Sequence, residues 1–138
     1  MNSDELVVDS VRVRIGETQL LSDIYLRCVT GKVTGLLGRN GCGKSTLLKV
    51  IFGTLQAENK SIRFNGKNYE RPYLTKDLIT YLPQEGFLPR NIPLKKIIYL
   101  LVDDDATRNY IMQHQSVNPN LKKTIQQLSG GELRYIEI

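Results

Sequence analysis

Gly38-Arg39-Asn40-Gly41-Cys42-Gly43-Lys44-Ser45 is the stretch that decides the fold. It matches the pattern G-x-x-x-x-G-K-S/T, in which each residue type has a physical task. Glycines let a backbone wrap closely around an anion with its N–H groups turned inward. A helix that begins near Lys44 points unpaired N–H groups and the positive end of its dipole at the same spot. The Lys44 ammonium adds a full charge, and the Ser45 hydroxyl suits Mg2+. Cys42 is read as a small residue that the loop tolerates. The expectation is a loop that holds the phosphates of ATP through Gly38, Arg39, Asn40, Gly41, Cys42, Gly43, Lys44, Ser45 and Thr46, with Ser45 on the metal.

The flanks agree with that loop. Val33 to Leu37 is a short apolar run bounded by glycines, which predicts a buried parallel strand. Ser45 to Phe52 has helical spacing, with Leu47, Leu48, Val50 and Ile51 on the apolar face and Gly53 as its stop. Upstream, Glu5 to Leu26 alternates in short stretches, and Gly16-Glu17 reads as a hairpin turn, so a small antiparallel sheet is expected. Downstream, Ser61 to Phe64 is a strand ended by Asn65-Gly66, and Leu78 to Leu82 is another ended by Pro83.

After Pro83 the pattern turns helical. Pro93 suits a helix start, with Ile97, Ile98 and Leu101 facing a core. Asp105 to Gln113 reads as a second helix, and the acids Asp103 to Asp105 as a solvated junction. Leu121 to Leu128 leads into Ser129-Gly130-Gly131, and Glu132 to Ile138 is helical again. The expected organisation is one α/β domain in three parts. Residues 1–84 form an antiparallel β subdomain and phosphate-loop core, 85–128 a helical insert, and 129–138 the start of a following helix.

Composition fits this reading. The 138 residues are 41% apolar and 24% charged, ordinary for a soluble domain. The net charge of +5 comes from lysines and arginines spread along the chain, never in a block, so no direct nucleic-acid partner is expected. Two cysteines in unrelated contexts give no disulfide framework and no metal-ligand spacing. The opening MNSDELVV is acidic and lacks the apolar core of a signal peptide. The apolar run Ile97 to Val102 falls far short of the ~20 residues that span a bilayer. Any membrane-spanning part is expected in another chain, with this one cytoplasmic and peripheral.

Leu128-Ser129-Gly130-Gly131-Glu132 makes the reading specific. A phosphate loop followed by LSGGE resembles the ATP-binding-cassette family, whose signature this is. Gln84, after Tyr81-Leu82-Pro83, lies in the order of that family's Q-loop glutamine. The resemblance covers essentially the whole chain. It implies a P-loop NTPase core with an N-terminal antiparallel β subdomain and a partial helical subdomain. It also implies that two such domains pair head to tail, as a homodimer or heterodimer. Ser129, Gly130 and Gly131 would then contact the γ-phosphate held by the partner domain. Gln84 would reach Mg2+ and the attacking water. A membrane-spanning permease would take up the stroke. Locally, S-x-x-E spacing also predicts that Ser129 and Glu132 form a capping box.

Some positions depart from the family. An aromatic often precedes the first hairpin glycine and stacks on adenine; here Ile15 precedes Gly16. Arg39 stands where proline is common. The family continues past LSGGE with an apolar strand ending in aspartate and a catalytic glutamate, then a switch histidine. The single histidine, His114, precedes the signature and reads as a surface residue. Glu137 lies in the helix after the signature and is no substitute for the catalytic glutamate. The 138 residues are therefore expected to bind nucleotide without turning it over, and to be marginally stable where strands lack partners. A longer parent is expected to be an ATPase.

Two other classes remain open on the residues. One is a soluble ATP-binding-cassette ATPase of translation, repair or iron–sulfur assembly. The other is a non-hydrolysing nucleotide-binding module. A GTPase is disfavoured because N-K-x-D and D-x-x-G are missing. A small-molecule kinase would leave LSGGE unexplained.

Overall fold

The computed structural model describes residues 4–138. Met1 to Ser3, the opening of the segment read above as no signal peptide, lie outside the described residues. The chain falls into two compact units, one running to Tyr81 and one from Leu82 to Ile138.

The first unit is built on a four-stranded antiparallel sheet. Its strands are β1 (Glu5–Ile15), β2 (Thr18–Val29), β3 (Asn59–Phe64) and β4 (Lys67–Asn68), in the order β2-β1-β3-β4. The β1–β2 turn is the expected Gly16-Glu17, with Gly16 at φ 58°. The β3–β4 turn is Asn65-Gly66, with φ 50° and 77°, the paired positive angles that favour Asn-Gly in tight hairpins.

Strict alternation would put Val8 and Val11 on opposite faces of β1. Both are fully buried, because the pairing of β1 shifts register between them and Ser10 takes a positive φ of 54°. Val8, Val11, Val13, Leu21 and Ile62 thus share one face. The helix α1 (Lys44–Phe52) lays Leu47, Val50 and Ile51 into the same core. Leu48, expected on that face, is 41% exposed, since the stripe that the sheet covers is narrower than the apolar run. Gly53 ends α1 in the left-handed conformation, its N–H donating to the Lys49 and Val50 carbonyls.

Two strand expectations fail here. Residues 32–39 form no strand, with Val33 and Leu37 essentially fully exposed. Leu78 to Leu82 likewise forms no strand. A parallel strand exists only where neighbours supply its backbone partners. Among the described residues no strand lies alongside either run.

The second unit is helical. Its elements are α2 (Leu94–Leu101), α3 (Asp105–Gln113) and α4 (Gly130–Glu137), with short 3-10 turns at Asn118–Asn120 and Ile125–Gln127. Pro93 caps α2, and the first two helical N–H groups donate to the Lys123 and Leu121 carbonyls. Leu94, Ile97 and Ile98, spaced i, i+3, i+4, enter a core with Leu88, Val117 and Ile125. Leu101 continues that stripe by spacing, yet it is 65% exposed and lines an open apolar cavity of about 540 Å³.

Asp104 is more than a solvated junction. Its carboxylate accepts from Thr107 N at 2.7 Å and Thr107 Oγ1 at 2.6 Å, capping α3. The Thr107 hydroxyl and amide hold this carboxyl below the usual carboxylate range.

Candidate functional site

The phosphate-loop segment is a closed curl. Lys44 Nζ folds back over it and donates to the carbonyls of Gly38 and Arg39, each at 2.7 Å. Cys42 Sγ lies 3.7 Å from the same ammonium. Gly41 and Gly43 hold φ of 83° and 92°, left-handed angles that an L side chain resists.

Gly43 has a second reason to be glycine. A Cβ there would come within 2.7 Å of Leu21 Cδ2 and 3.3 Å of Leu20 Cγ. The loop therefore leans directly on β2, which fixes where α1 starts. A Cβ on Gly38 would meet Cys42 Sγ at 2.6 Å, so the two ends of the curl touch.

The curl leaves donors free. Among the described residues, the backbone N–H groups of Gly43, Lys44, Ser45 and Thr46 have no backbone partner, and Gly43 caps α1 without a side-chain bond. These are the orphan donors of a helix start, beside a lysine charge. Ser45 is exposed. Free amides beside a lysine charge are donors of the kind that suits phosphate oxygens. Arg39 and Asn40 lie exposed on the rim. Ile15, at the end of β1, is 63% exposed and offers no aromatic face.

In the second unit, Ser129 caps α4 by the expected capping box. Ser129 N donates to Glu132 Oε2 at 2.8 Å, and Glu132 N donates to Ser129 Oγ at 3.3 Å. The Ser129 N–H, and after it the Ser129 hydroxyl, donate to the Glu132 carboxyl and bring it down to about 2, and Lys123 Nζ stands 3.6 Å away. The box leaves Gly130 and Gly131 exposed, their N–H groups without a backbone partner among the described residues.

Gln84 is exposed and makes no hydrogen bond with a described residue. Its neighbours are pinned instead. Arg134 Nη1 donates to the Pro83 carbonyl, and Phe87 N donates to Glu137 Oε1 at 3.0 Å. Sequence reasoning missed these two α4 residues; their i, i+3 opposite-charge spacing was the signal that could have found them. His114, read as a surface residue, is half-buried. Its ring stacks on Tyr135 at 5.6 Å between centroids, with the Tyr135 hydroxyl 3.3 Å from Nε2. No group of three or more metal-ligating side chains occurs among the described residues.

The family model described as ABC transporter matches residues 21–138. The zinc import ATP-binding protein ZnuC of Alcanivorax borkumensis is 31% identical over 134 residues, covering 95% of this chain and 49% of that protein. The chain thus spans about half the length of the curated relative it matches. A putative ABC transporter ATP-binding protein from Pyrococcus furiosus superposes with a TM-score of 0.72 at 26% identity, over 96% of this chain and 67% of that one. A solved structure described as the ATP-binding subunit of an ABC transporter gives a TM-score of 0.73 at 20% identity, over 96% and 59%. At that identity it speaks for the fold alone. With the family model matching from Leu21 to Ile138, the chain belongs to the ABC transporter family of ATP-binding domains.

Proposed function

We propose that this chain is an ATP-binding subunit of a membrane transporter. It grips the triphosphate of ATP through residues 38–46 and presents Ser129, Gly130 and Gly131 to nucleotide held by a second such domain. The observation that carries the reading is the closed curl, with Lys44 drawn over it and four helix-start amides left free. Those amides and the ammonium would hold the β- and γ-phosphates, and the Ser45 hydroxyl and Gln84 would serve Mg2+. Mg2+ held there would supply neutralising charge to the phosphates. The protein's part is to orient the phosphate chain and to exclude misplaced water from it.

The second clamp has the same chemistry. Gly130 and Gly131 bring N–H groups to the start of α4, and a Cβ added at either would meet nothing within 4 Å among the described residues. Ser129 Oγ caps the helix by accepting from Glu132 N. A head-to-tail pair, homodimeric or heterodimeric, would place this start against the partner's nucleotide. The stroke would pass to a permease, with the chain peripheral at the cytoplasmic face. ZnuC is named for zinc import; a transporter's substrate is read by other chains, so this proposal stops at the energising subunit.

These 138 residues carry no apolar strand ending in aspartate and glutamate, the pattern that the family uses to polarise water. A Mg-ATP titration paired with a phosphate-release assay tests the reading. Binding without turnover is expected, and Lys44→Met should weaken binding about 10- to 100-fold, the worth of a charge-assisted hydrogen bond. Equal affinity in wild type and Lys44→Met would refute it.

A further inference from the structure

The segment 83–87 is fastened to α4 at both ends. At its start, Arg134 Nη1 donates to the Pro83 carbonyl. At its end, Phe87 N donates to Glu137 Oε1 at 3.0 Å. Arg134 and Glu137 stand one turn apart on α4, with Nη1 and Oε2 3.6 Å from each other. The Glu137 side chain is only 1% exposed, so its charge is compensated by the Phe87 amide and Arg134 rather than by water. Gly86 makes the approach possible: a Cβ there would come within 3.1 Å of Glu137 Oε1 and 3.2 Å of Leu133 Cδ2. Gln84 lies between the two pins, exposed, with no hydrogen bond of its own to a described residue.

We propose that Arg134 and Glu137 are positioning residues for Gln84. They make the glutamine segment and the helix that follows Ser129-Gly130-Gly131 one mechanical piece. A buried carboxylate is a costly way to hold a loop, since removing either partner orphans a charge or an amide. What it gives is directional constraint, because a donor and an acceptor fix the two ends of a five-residue bend. Any shift of α4 is then delivered to Gln84, and any pull on Gln84 to α4. This inference rests on the reading that Gln84 serves the Mg-nucleotide site.

The test uses the 138-residue chain with two readouts. The first is amide exchange at Phe87, followed by NMR. Glu137→Ala should speed it about tenfold or more, the loss of a hydrogen bond to a charged acceptor, while Glu137→Gln keeps an oxygen in place and stays near wild type. The second is the ratio of ATP affinities with and without Mg2+ in Gln84→Ala, Glu137→Ala and the double variant. Positioning predicts that all three share one reduced ratio, because the double variant has nothing left to lose. Unchanged Phe87 exchange in Glu137→Ala overturns the clamp. Additive losses in the double variant overturn the positioning role while leaving the contact. A wild-type ratio in Gln84→Ala overturns the reading of Gln84 and, with it, this role. If Glu137→Ala does not fold, Arg134→Met removes only the Pro83 pin and enters the same cycle with the same expected non-additivity.

Discussion

Replacing Gly43 with alanine tests the packing of the loop on the sheet as well as its chemistry. Two costs fall on this position. The φ of 92° lies in the left-handed region, where an L side chain costs roughly 1–2 kcal/mol. The new Cβ would also sit 2.7 Å from Leu21 Cδ2, and Leu21 is itself 5% exposed, so it has little room to yield. Overpacking of this kind costs about 1–3 kcal/mol. Gly41→Ala separates the two effects. It carries a similar φ of 83°, but a Cβ there would meet nothing within 4 Å. Urea denaturation should therefore show Gly41→Ala losing roughly 1–2 kcal/mol and Gly43→Ala roughly 2–5 kcal/mol. ATP affinity should follow the same order, because the start of α1 moves away from Leu20 and Leu21 only in the second variant. Equal losses for the two variants would refute the claim that β2 sets where the helix begins.

Three further outcomes follow from the same structure. The Glu132 carboxyl has its folded value lowered to about 2 from 4.5, so its contribution to stability is present above about 4.5 and is lost as pH falls toward 2. Carbon-detected NMR titration of Glu132 should find a midpoint near 2, and Ser129→Ala should move it back up toward the ordinary glutamate range. Ile62→Ala should cost about 2–5 kcal/mol in denaturation experiments, because Ile62 is 1% exposed within the first core, whereas Leu48→Ala should fall within about 0.5 kcal/mol. Val33 and Leu37 stand in water, so the wild-type chain should self-associate, and Val33→Ser with Leu37→Ser should lower its light scattering. A monodisperse wild-type chain would contradict this.

What the sequence revealed and what it hid follow from the range of the forces involved. Local chemistry was legible. Gly16-Glu17 and Asn65-Gly66 make turns through their own backbone freedom. Gly53 stops α1, and Ser129 with Glu132 forms its box, within a few residues of chain. Positions whose state depends on distant neighbours were not. Val33 to Leu37 has the pattern of a buried strand, but burial needs strands beside it, and pattern alone cannot supply them. Leu48 and Leu101 are apolar at helical spacing, yet each falls at the edge of what its core covers.

The candidate site divides the same way. Residues 38–46 were readable because the motif builds its own cradle from backbone and one lysine. The shift in β1 at Ser10 and the anchoring of residues 83–87 by Arg134 and Glu137 depend on partners 50 or more residues away, or on a bulge that leaves no compositional mark. The acids Asp103 to Asp105 are exposed at the junction, as read, and the pattern did not show that one of them is also a helix cap.

The most direct measurement is the amide NMR spectrum of the chain titrated with Mg-ATP. The account predicts saturable shifts centred on the N–H groups of Gly43, Lys44, Ser45 and Thr46, with the midpoint about 10- to 100-fold higher in Lys44→Met. Saturating nucleotide that leaves those four resonances unmoved would contradict it.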